Sequence, residues 1–332
     1  MSELSLAGAI NKALADSLES DDAVVIYGED VGTLGGVFRV TDGLAKRFGE
    51  QRVFDAPLAE SGIVGTAIGM AMNGLRPVVE MQFDAFAYPA FEQITSHVAK
   101  LRNRTRGALQ LPMVIRIPYG GGIGGVEHHC DSSEAYYTHT AGLTVVSPSD
   151  ADDGYHLLRQ AIASDDPVIF LEPKRRYWSK GPISEAPSAG FGEAVVRRPG
   201  TDVTVIAYGG TVATALEAAD AGAEEGRSLE VVDLRSLSPF DDDRVAASVR
   251  KTGRAIVVHE ASRFGGYGAE VAARLTEQCF HHLQAPILRV TGWDTPYPPP
   301  KLEQHHLPTV DRILDAADRL QWSDEPVKEM AY

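Results

Sequence analysis

The chain has 332 residues, of which 44% are hydrophobic and 23% are charged, and this is enough apolar material for two globular domains. Acidic residues outnumber basic ones by 46 to 31, which gives a formal charge of -15. Such a surface repels nucleic-acid phosphates and anionic membranes, so neither is an expected partner. The two cysteines cannot form a disulfide framework, and the first residues lack the pattern of a secretion signal. We expect a cytoplasmic protein.

Short runs rich in Val and Ile alternate with helical patterns along the chain. The predicted strands are Ala23–Gly28, Pro77–Phe83, Met113–Pro118, Leu143–Ser147 and Pro167–Leu171, then Val203–Tyr208, Leu229–Leu234, Ala255–His259 and Ile287–Thr291. Continuous apolar runs are typical of strands that are buried on both faces of a parallel sheet. The intervening segments have helical spacing, as in Ile10, Leu14 and Leu18. This alternation predicts an α/β protein with two doubly wound domains.

The alternation is interrupted at residues 174–202, where Gly and Pro recur without a period. We interpret this segment as a linker between the two domains. After the last predicted strand, a Pro-rich stretch leads to a final helix predicted near Thr309–Leu320.

A run of five glycines in six positions, Gly120–Gly125, follows a predicted strand and formally fits the G-x-G-x-x-G pattern. A dinucleotide site also needs a helix that opens immediately and an acid about 20 residues later. The next residues, 126–131, form a polar segment that we expect to be a loop. The run therefore predicts either a mobile loop or a close approach of backbone to a ligand, and a nicotinamide site is the less favoured alternative.

Glu60 is predicted to open a helix after a short strand at Arg52–Phe54. Gly62, Gly65 and Gly69 recur along this helix, which costs stability unless something packs very close to it. An acid in the first turn is favoured by the helix dipole alone. It is equally consistent with a carboxylate that points into a cleft at the carboxyl end of a parallel sheet.

His128 and His129 follow the glycine run. Neighbouring histidines in an extended chain point in opposite directions, so a shared metal is not expected, and no further ligands at zinc spacing are present. A loop histidine is nevertheless a reasonable acid or base, because its charge changes near neutral pH. The residues by themselves predict a cleft near Glu60 and His129 and do not name a reaction.

Many segments together resemble the β subunit of the thiamine-dependent 2-oxo acid dehydrogenases. They are Tyr27–Val31, Gly35–Phe38, Arg52–Glu60, Glu80–Phe83, Pro89–Gln93, Leu143–Pro148, Phe170–Pro173, Val232–Arg235, Lys251–Arg254, Val258–Ala261, Ala285–Val290 and Asp294–Pro296. Within that family, Gly35–Arg39, Gln278–Phe280 and Asp294–Pro298 resemble the branched-chain enzyme most closely, with the pyruvate and acetoin enzymes as alternatives.

The resemblance implies a pyrimidine-binding domain over residues 1–190 and a transketolase-type C-terminal domain over residues 200–332. Glu60 matches the family acid that hydrogen-bonds the pyrimidine of thiamine diphosphate, so that the imino form of the cofactor removes the thiazolium proton. Phe86 matches an aromatic residue that stacks on the pyrimidine. Leu58 and Gln82 are implied to lie beside the same ring.

His129 matches the family histidine that is implicated in acyl transfer to a lipoyl group. The adjacent His128 leaves a one-residue ambiguity in this match, and counting back from Ser133–Tyr137 favours His129. The family usually has Ser-Gln where this chain has Cys130 and Asp131. An approach of Asp131 to the imidazole would raise the pKa of His129.

The resemblance also implies a structural potassium ion that is held by backbone carbonyls. The matching residues are Leu111, Met113, Val114, Ala161, Ser164 and Asp166. Relatives bind the cofactor diphosphate and magnesium through a Gly-Asp-Gly motif, which is not present in this sequence. The resemblance therefore implies an α subunit that supplies that half of the site in an α2β2 tetramer. It also implies a lipoyl-bearing acyltransferase core as a further partner, whose basic binding domain would dock on the acidic C-terminal domain. A non-catalytic scaffold subunit is the remaining alternative.

Overall fold

The computed structural model describes residues 3–321, so the ends of the two predicted domains, residues 1–2 and 322–332, lie outside the described residues. The first large sheet consists of β2 (Val24–Gly28), β3 (Val53–Asp55), β4 (Arg76–Glu80), β5 (Val114–Tyr119), β6 (Thr144–Val146), β7 (Val168–Pro173) and β12 (Ser236–Ser238). Its strand order is β12-β6-β7-β5-β4-β2-β3, and β12 is its antiparallel strand. The mainly parallel pairing confirms the prediction from the continuous Val and Ile runs.

The second large sheet has the order β14-β13-β10-β11-β9, in which β9 is antiparallel to β11. Its strands are β9 (Val195–Arg198), β10 (Val203–Ala207), β11 (Leu229–Asp233), β13 (Ala255–Ser262) and β14 (Leu288–Gly292). A small sheet pairs β1 (Glu3–Ser5) with β8 (Lys180–Pro182). Each predicted strand is therefore present, with ends that differ by a few residues.

Helices cover both large sheets. They are α1 (Leu6–Ser20), α2 (Leu44–Phe48), α3 (Glu60–Met72), α4 (Phe91–Gln93), α5 (Leu101–Arg104), α6 (Glu127–Cys130), α7 (Glu134–Thr138), α8 (Ala151–Ala163), α9 (Thr211–Glu224), α10 (Asp242–Thr252), α11 (Tyr267–Cys279), α12 (Glu303–His306) and α13 (Val310–Arg319). Shorter helical turns are Ala85–Ala90, Ile94–Val98, Lys174–Arg176, Phe280–His282 and Pro300–Leu302. Within residues 3–321, no helix combines the length and apolar character that a membrane span requires.

The predicted linker differs from expectation, because residues 174–202 contain β8 and β9. Both strands are short, since β8 pairs only with β1 and β9 is the edge strand of the second large sheet, so no long periodic run marks them in the sequence. The two halves of the chain also share one apolar core, in which Tyr137 and Leu143 pack together with Val232 and Leu237. The second large sheet is thereby fixed against the first.

Candidate active site

The candidate site lies at one edge of the first large sheet. Strands β2, β3 and β4 are parallel neighbours, so their carboxyl ends meet at this edge, where ligands of α/β proteins bind. Glu29 directly follows β2, and Gln82 lies two residues after β4. Helix α3 begins at Glu60, after the loop that leaves β3. The topology therefore brings together three polar side chains that are far apart in sequence.

Glu60 and Glu29 are the buried acids of this edge. Glu60 is only 9% exposed, and its carboxylate has no hydrogen bond to another residue in the described part of the chain. Glu29 is 8% exposed, and its Oε1 is buried without a partner among residues 3–321. Burial raises the pKa of Glu29, and the nearby charges of Glu60 and Asp30 raise it further. A buried carboxyl oxygen without a partner, such as Oε1 of Glu29, is costly unless a ligand completes it.

Sequence reasoning missed Glu29, although an acid directly after a buried strand was a usable signal.

Gln82 and Leu58, which were also predicted for this edge, have environments that differ from those of the two buried acids. The Nε2 of Gln82 donates a hydrogen bond to Asp30 at 2.9 Å. Leu58 lies in the loop before α3 and is 81% exposed, so this chain does not bury its side chain.

Phe86 and His129 come together in an aromatic cluster with Phe83. The ring of His129 lies 4.5 Å from the ring of Phe83 and 5.3 Å from the ring of Phe86, in edge-on geometry in both cases. His129 is half-buried. The side chain of His128, in contrast, is 64% exposed, and its Nδ1 lies 3.5 Å from Glu127. The two neighbouring histidines therefore occupy different environments.

The segment around these histidines differs from the polar loop that was predicted. Residues 127–130 form α6, a single helical turn, because the N–H of His129 donates back to the carbonyl of Val126 at 2.9 Å. Successive side chains on a helix point about 100° apart, so the histidines diverge for this reason and not because the chain is extended. Asp131 accepts a hydrogen bond from Tyr88 at 3.2 Å, and no hydrogen bond joins it to His129 within residues 3–321.

The glycine run binds carboxylates of this same chain. The N–H of Gly121 donates to Glu260 at 2.9 Å, and the N–H of Gly122 donates to Glu303 at 2.9 Å. The backbone of the run therefore lies close to protein carboxylates, whereas the prediction was a mobile loop or an approach to a ligand. Because the amides are already paired with carboxylates, the loop offers no open cradle for a dinucleotide phosphate, and the nicotinamide alternative is not supported.

The glycines of α3 would be explained by a segment packed very close to the helix, but no such neighbour is present among residues 3–321. Gly62 and Gly69 are exposed, and a Cβ on Gly69 would meet nothing within 4 Å. In the described part of this chain, no other segment packs tightly against that face of the helix.

The two segments predicted to hold potassium adjoin one another. The N–H of Leu111 donates to the carbonyl of Asp165 at 3.2 Å, and the N–H of Val168 donates to the carbonyl of Met113 at 3.0 Å. Arg76 Nη1 donates to the carbonyl of Ser164 at 2.9 Å. Separately, residues 3–321 contain no cluster of three or more His, Cys, Asp or Glu that could hold a metal through side chains.

Comparison with known families gives two matches. Residues 2–179 match the family described as "Transketolase, pyrimidine binding domain", and residues 192–313 match "Transketolase, C-terminal domain". A solved structure described as "Split gene transketolase, inactive beta4 tetramer" has a TM-score of 0.78 and 25% identity, and the match covers 96% of this chain and 98% of that chain.

Individual proteins are similar over almost the whole length. The 3-methyl-2-oxobutanoate dehydrogenase subunit beta of Mycobacterium tuberculosis (strain CDC 1551 / Oshkosh) is 55% identical over 319 residues, which is 96% of this chain and 92% of the relative. The pyruvate dehydrogenase E1 component subunit beta of Leifsonia xyli subsp. xyli (strain CTCB07) is 56% identical over 318 residues, covering 95% and 94%. The identities of 55% and 56% are too similar to distinguish between 3-methyl-2-oxobutanoate and pyruvate, the substrates in these two names.

Proposed function

This chain belongs to the family of thiamine-dependent 2-oxo acid dehydrogenase β subunits, and on that premise we propose that it serves in the decarboxylation of branched-chain 2-oxo acids. The observation that carries the proposal is Glu60, a buried and unpartnered carboxyl group at the start of α3 and at the carboxyl edge of the first sheet. Glu60 stands where the family motif has its acid, and it also lies at the edge of the sheet where ligands of α/β proteins bind.

The residues of this edge fit a bound aminopyrimidine. Glu60 is largely buried, and Glu29 has an Oε1 that is buried without a partner among residues 3–321. The half-buried ring of Phe86 lies on the adjoining helical turn. Thiamine diphosphate, when bound, supplies the electron sink that makes loss of carbon dioxide from a 2-oxo acid possible. Glu60 would hold a proton at a pyrimidine nitrogen, and Phe86 would hold the ring by stacking. Leu58 and Gln82 would flank the same ring.

His129 is proposed to assist transfer of the acyl group to a lipoyl group. Phe83 and Phe86 hold its imidazole beside the proposed pyrimidine site. A positioned imidazole can donate a proton to a developing thiolate and take it back in the reverse direction. The exposed position of His128 beside Glu127 makes it a poorer candidate.

We also propose that a separate α subunit completes the site in an α2β2 tetramer and binds the cofactor diphosphate with magnesium. The exposed side chain of Leu58 and the exposed glycine face of α3 are surfaces that such a partner could cover. A lipoyl-bearing acyltransferase core is proposed as the next partner, and its basic binding domain would dock on the acidic C-terminal domain. A scan of charge reversals across those acids that leaves the affinity unchanged would contradict this docking.

Further parts of the proposal concern the ion, the domains and the location. Potassium is proposed to bind between the segments of Met113 and Ser164, where carbonyl oxygens suit a hard cation. The domains are proposed to span residues 1–190 and 200–332. Two free cysteines, both buried, suit the reducing cytoplasm.

The test is turnover by this chain with its α partner, thiamine diphosphate and magnesium, measured with a dye as electron acceptor. We expect 3-methyl-2-oxobutanoate to be preferred over pyruvate. Glu60→Gln should lower the rate by about a hundredfold or more, since it removes a proton-transferring group. Glu50→Gln, at an exposed position, is the control.

The outcomes separate the alternatives. A preference for pyruvate or acetoin would keep the mechanism and change the substrate. Full activity of Glu60→Gln would contradict the role of that residue. A cofactor-loaded tetramer without turnover would favour a scaffold subunit.

A further inference from the structure

The glycine loop is held by side chains from the other half of the chain. Glu260 lies in β13 and Glu303 begins α12, and both are buried, at 8% and 6% exposure. Glu260 accepts the N–H of Gly121, whereas Glu303 accepts the N–H of Gly122 at 2.9 Å and of Gly124 at 3.4 Å. Hydrogen bonds from amides to a buried carboxylate are stronger than those between neutral groups.

Each carboxylate is fixed from its other side as well. Arg175 Nη1 lies 3.0 Å from Glu260 Oε1, and the hydroxyl of Tyr297 donates to Glu303 at 2.7 Å. These contacts leave both acids little rotational freedom. The loop amides therefore meet acceptors that are already oriented, which reduces the entropy lost when the loop is ordered.

The loop has room for glycine alone at its central positions. A Cβ on Gly121 would overlap the hydroxyl of Tyr297. Gly122 has φ +86°, and a Cβ there would lie 2.7 Å from the Cβ of Arg175. The glycine run is thus explained by contact with Tyr297 of the C-terminal half and with Arg175, rather than by a nucleotide.

The same loop carries His129. The N–H of Gly120 donates to the carbonyl of Asp131 at 2.8 Å, so residues 120–131 form a closed loop. Cys130, next to His129, is buried in a small apolar cluster with Tyr297 and Leu307. The direction of the imidazole therefore depends on two attachments to the C-terminal half, one through carboxylates and one through this cluster.

We propose that Glu303 and Glu260 are positioning residues that hold the closed loop 120–131 so that His129 faces Phe86. The C-terminal half thereby completes the acyl-transfer site of the N-terminal half. The inference rests on the proposed role of His129. It predicts that weakening the attachment impairs acyl transfer while leaving the decarboxylation chemistry at Glu60 unchanged.

The experiment uses the assembled α2β2 enzyme and compares dye-coupled decarboxylation with reductive acylation of a free lipoyl domain. Glu303→Ala removes the acceptor, and we expect acylation to fall about tenfold or more, because small displacements of a catalytic group are costly, with decarboxylation nearly unchanged. Glu303→Gln keeps an acceptor oxygen and should restore most of the loss. Glu230→Ala is the matched control, because Glu230 is a buried acid of the same half that accepts from Gly200 at 3.3 Å, away from this loop.

Two further measurements keep the test decisive. Gly122→Ala disturbs the attachment from the loop side and should give the same selective loss if Glu303→Ala does not fold. Amide hydrogen exchange over residues 120–131 should be faster in Glu303→Ala than in the wild type, independently of catalysis.

The positioning role of Glu303 and the proposed role of His129 would be contradicted by different results. Equal losses of both activities in Glu303→Ala, or no loss of acylation, overturn the positioning role. If His129→Ala does not lower acylation selectively, the proposed role of His129 is wrong. In that case hydrogen exchange alone tests whether Glu303 holds the loop. If the amide hydrogen exchange of residues 120–131 is unchanged in Glu303→Ala, the proposal that Glu303 holds this loop is wrong.

Discussion

Glu29 and Glu60 share one edge of the sheet, and the negative charge of Glu60 adds to the effect of burial in raising the pKa of Glu29. An acid whose pKa is raised in the folded state destabilises that state as the pH rises from its ordinary value through the raised value. Neither carboxyl group has a cationic partner among residues 3–321. A ligand at the proposed site would therefore relieve an arrangement that is costly in the free chain.

Glu29→Gln should stabilise the purified chain above neutral pH. The change removes a charge that burial and Glu60 disfavour, and the advantage should shrink as the pH falls towards 4, because the wild-type carboxyl is then protonated in the folded state and increasingly protonated in the unfolded state. Urea unfolding at pH 8 and at pH 4.5 measures the difference. An advantage of the same size at both values would show that charge is not the cause.

His259 should make the stability depend on acidity. It is fully buried, neither ring nitrogen has a partner among residues 3–321, and burial lowers its pKa to about 4. The folded state resists its protonation, so its contribution is fully present above about pH 6.5 and is lost as the pH falls towards 4. Replacing His259 with Leu should flatten this part of the profile of unfolding free energy against pH. A profile that keeps its slope in the variant would contradict the assignment.

Arg116→Met should be strongly destabilising. Arg116 is 0% exposed and lies 2.6 Å from both Glu80 and Glu172, so its removal leaves two buried carboxylates without their cation. We expect a loss of about 3–5 kcal/mol in the free energy of unfolding. Arg102→Ala, which breaks an exposed pair with Asp166, is the control and should cost less than about 1 kcal/mol. Similar losses for both variants would refute the distinction.

Potassium should raise the melting temperature of this chain. If the carbonyls near Met113 and Ser164 bind the ion only in the folded state, saturation at a hundred times its dissociation constant adds about 2.7 kcal/mol. Thermal unfolding in potassium chloride is compared with unfolding in tetramethylammonium chloride at the same ionic strength. Equal melting temperatures would remove the proposed ion site.

The strands of both sheets were predictable because buried parallel strands leave a continuous apolar signal in the sequence. Short elements were not predictable from the sequence. Strand β9 has Val195 and Val196 as its apolar residues and depends on pairing with β11, and α6 is a single turn below the length at which periodicity is visible. Glu60 was predicted through the family motif, whereas Glu29 was noticed from its burial near Glu60 in the structure.

The sequence by itself determined the α/β class and the family, and it predicted Glu60, Phe86 and His129 as site residues from the family's motifs, because these features are local in the chain. Only the tertiary structure decided what the glycine loop binds. Gly121 is 139 residues from Glu260, and Gly122 is 181 residues from Glu303. No local pattern encodes such a pairing, since it arises where two separately wound sheets pack against one shared core.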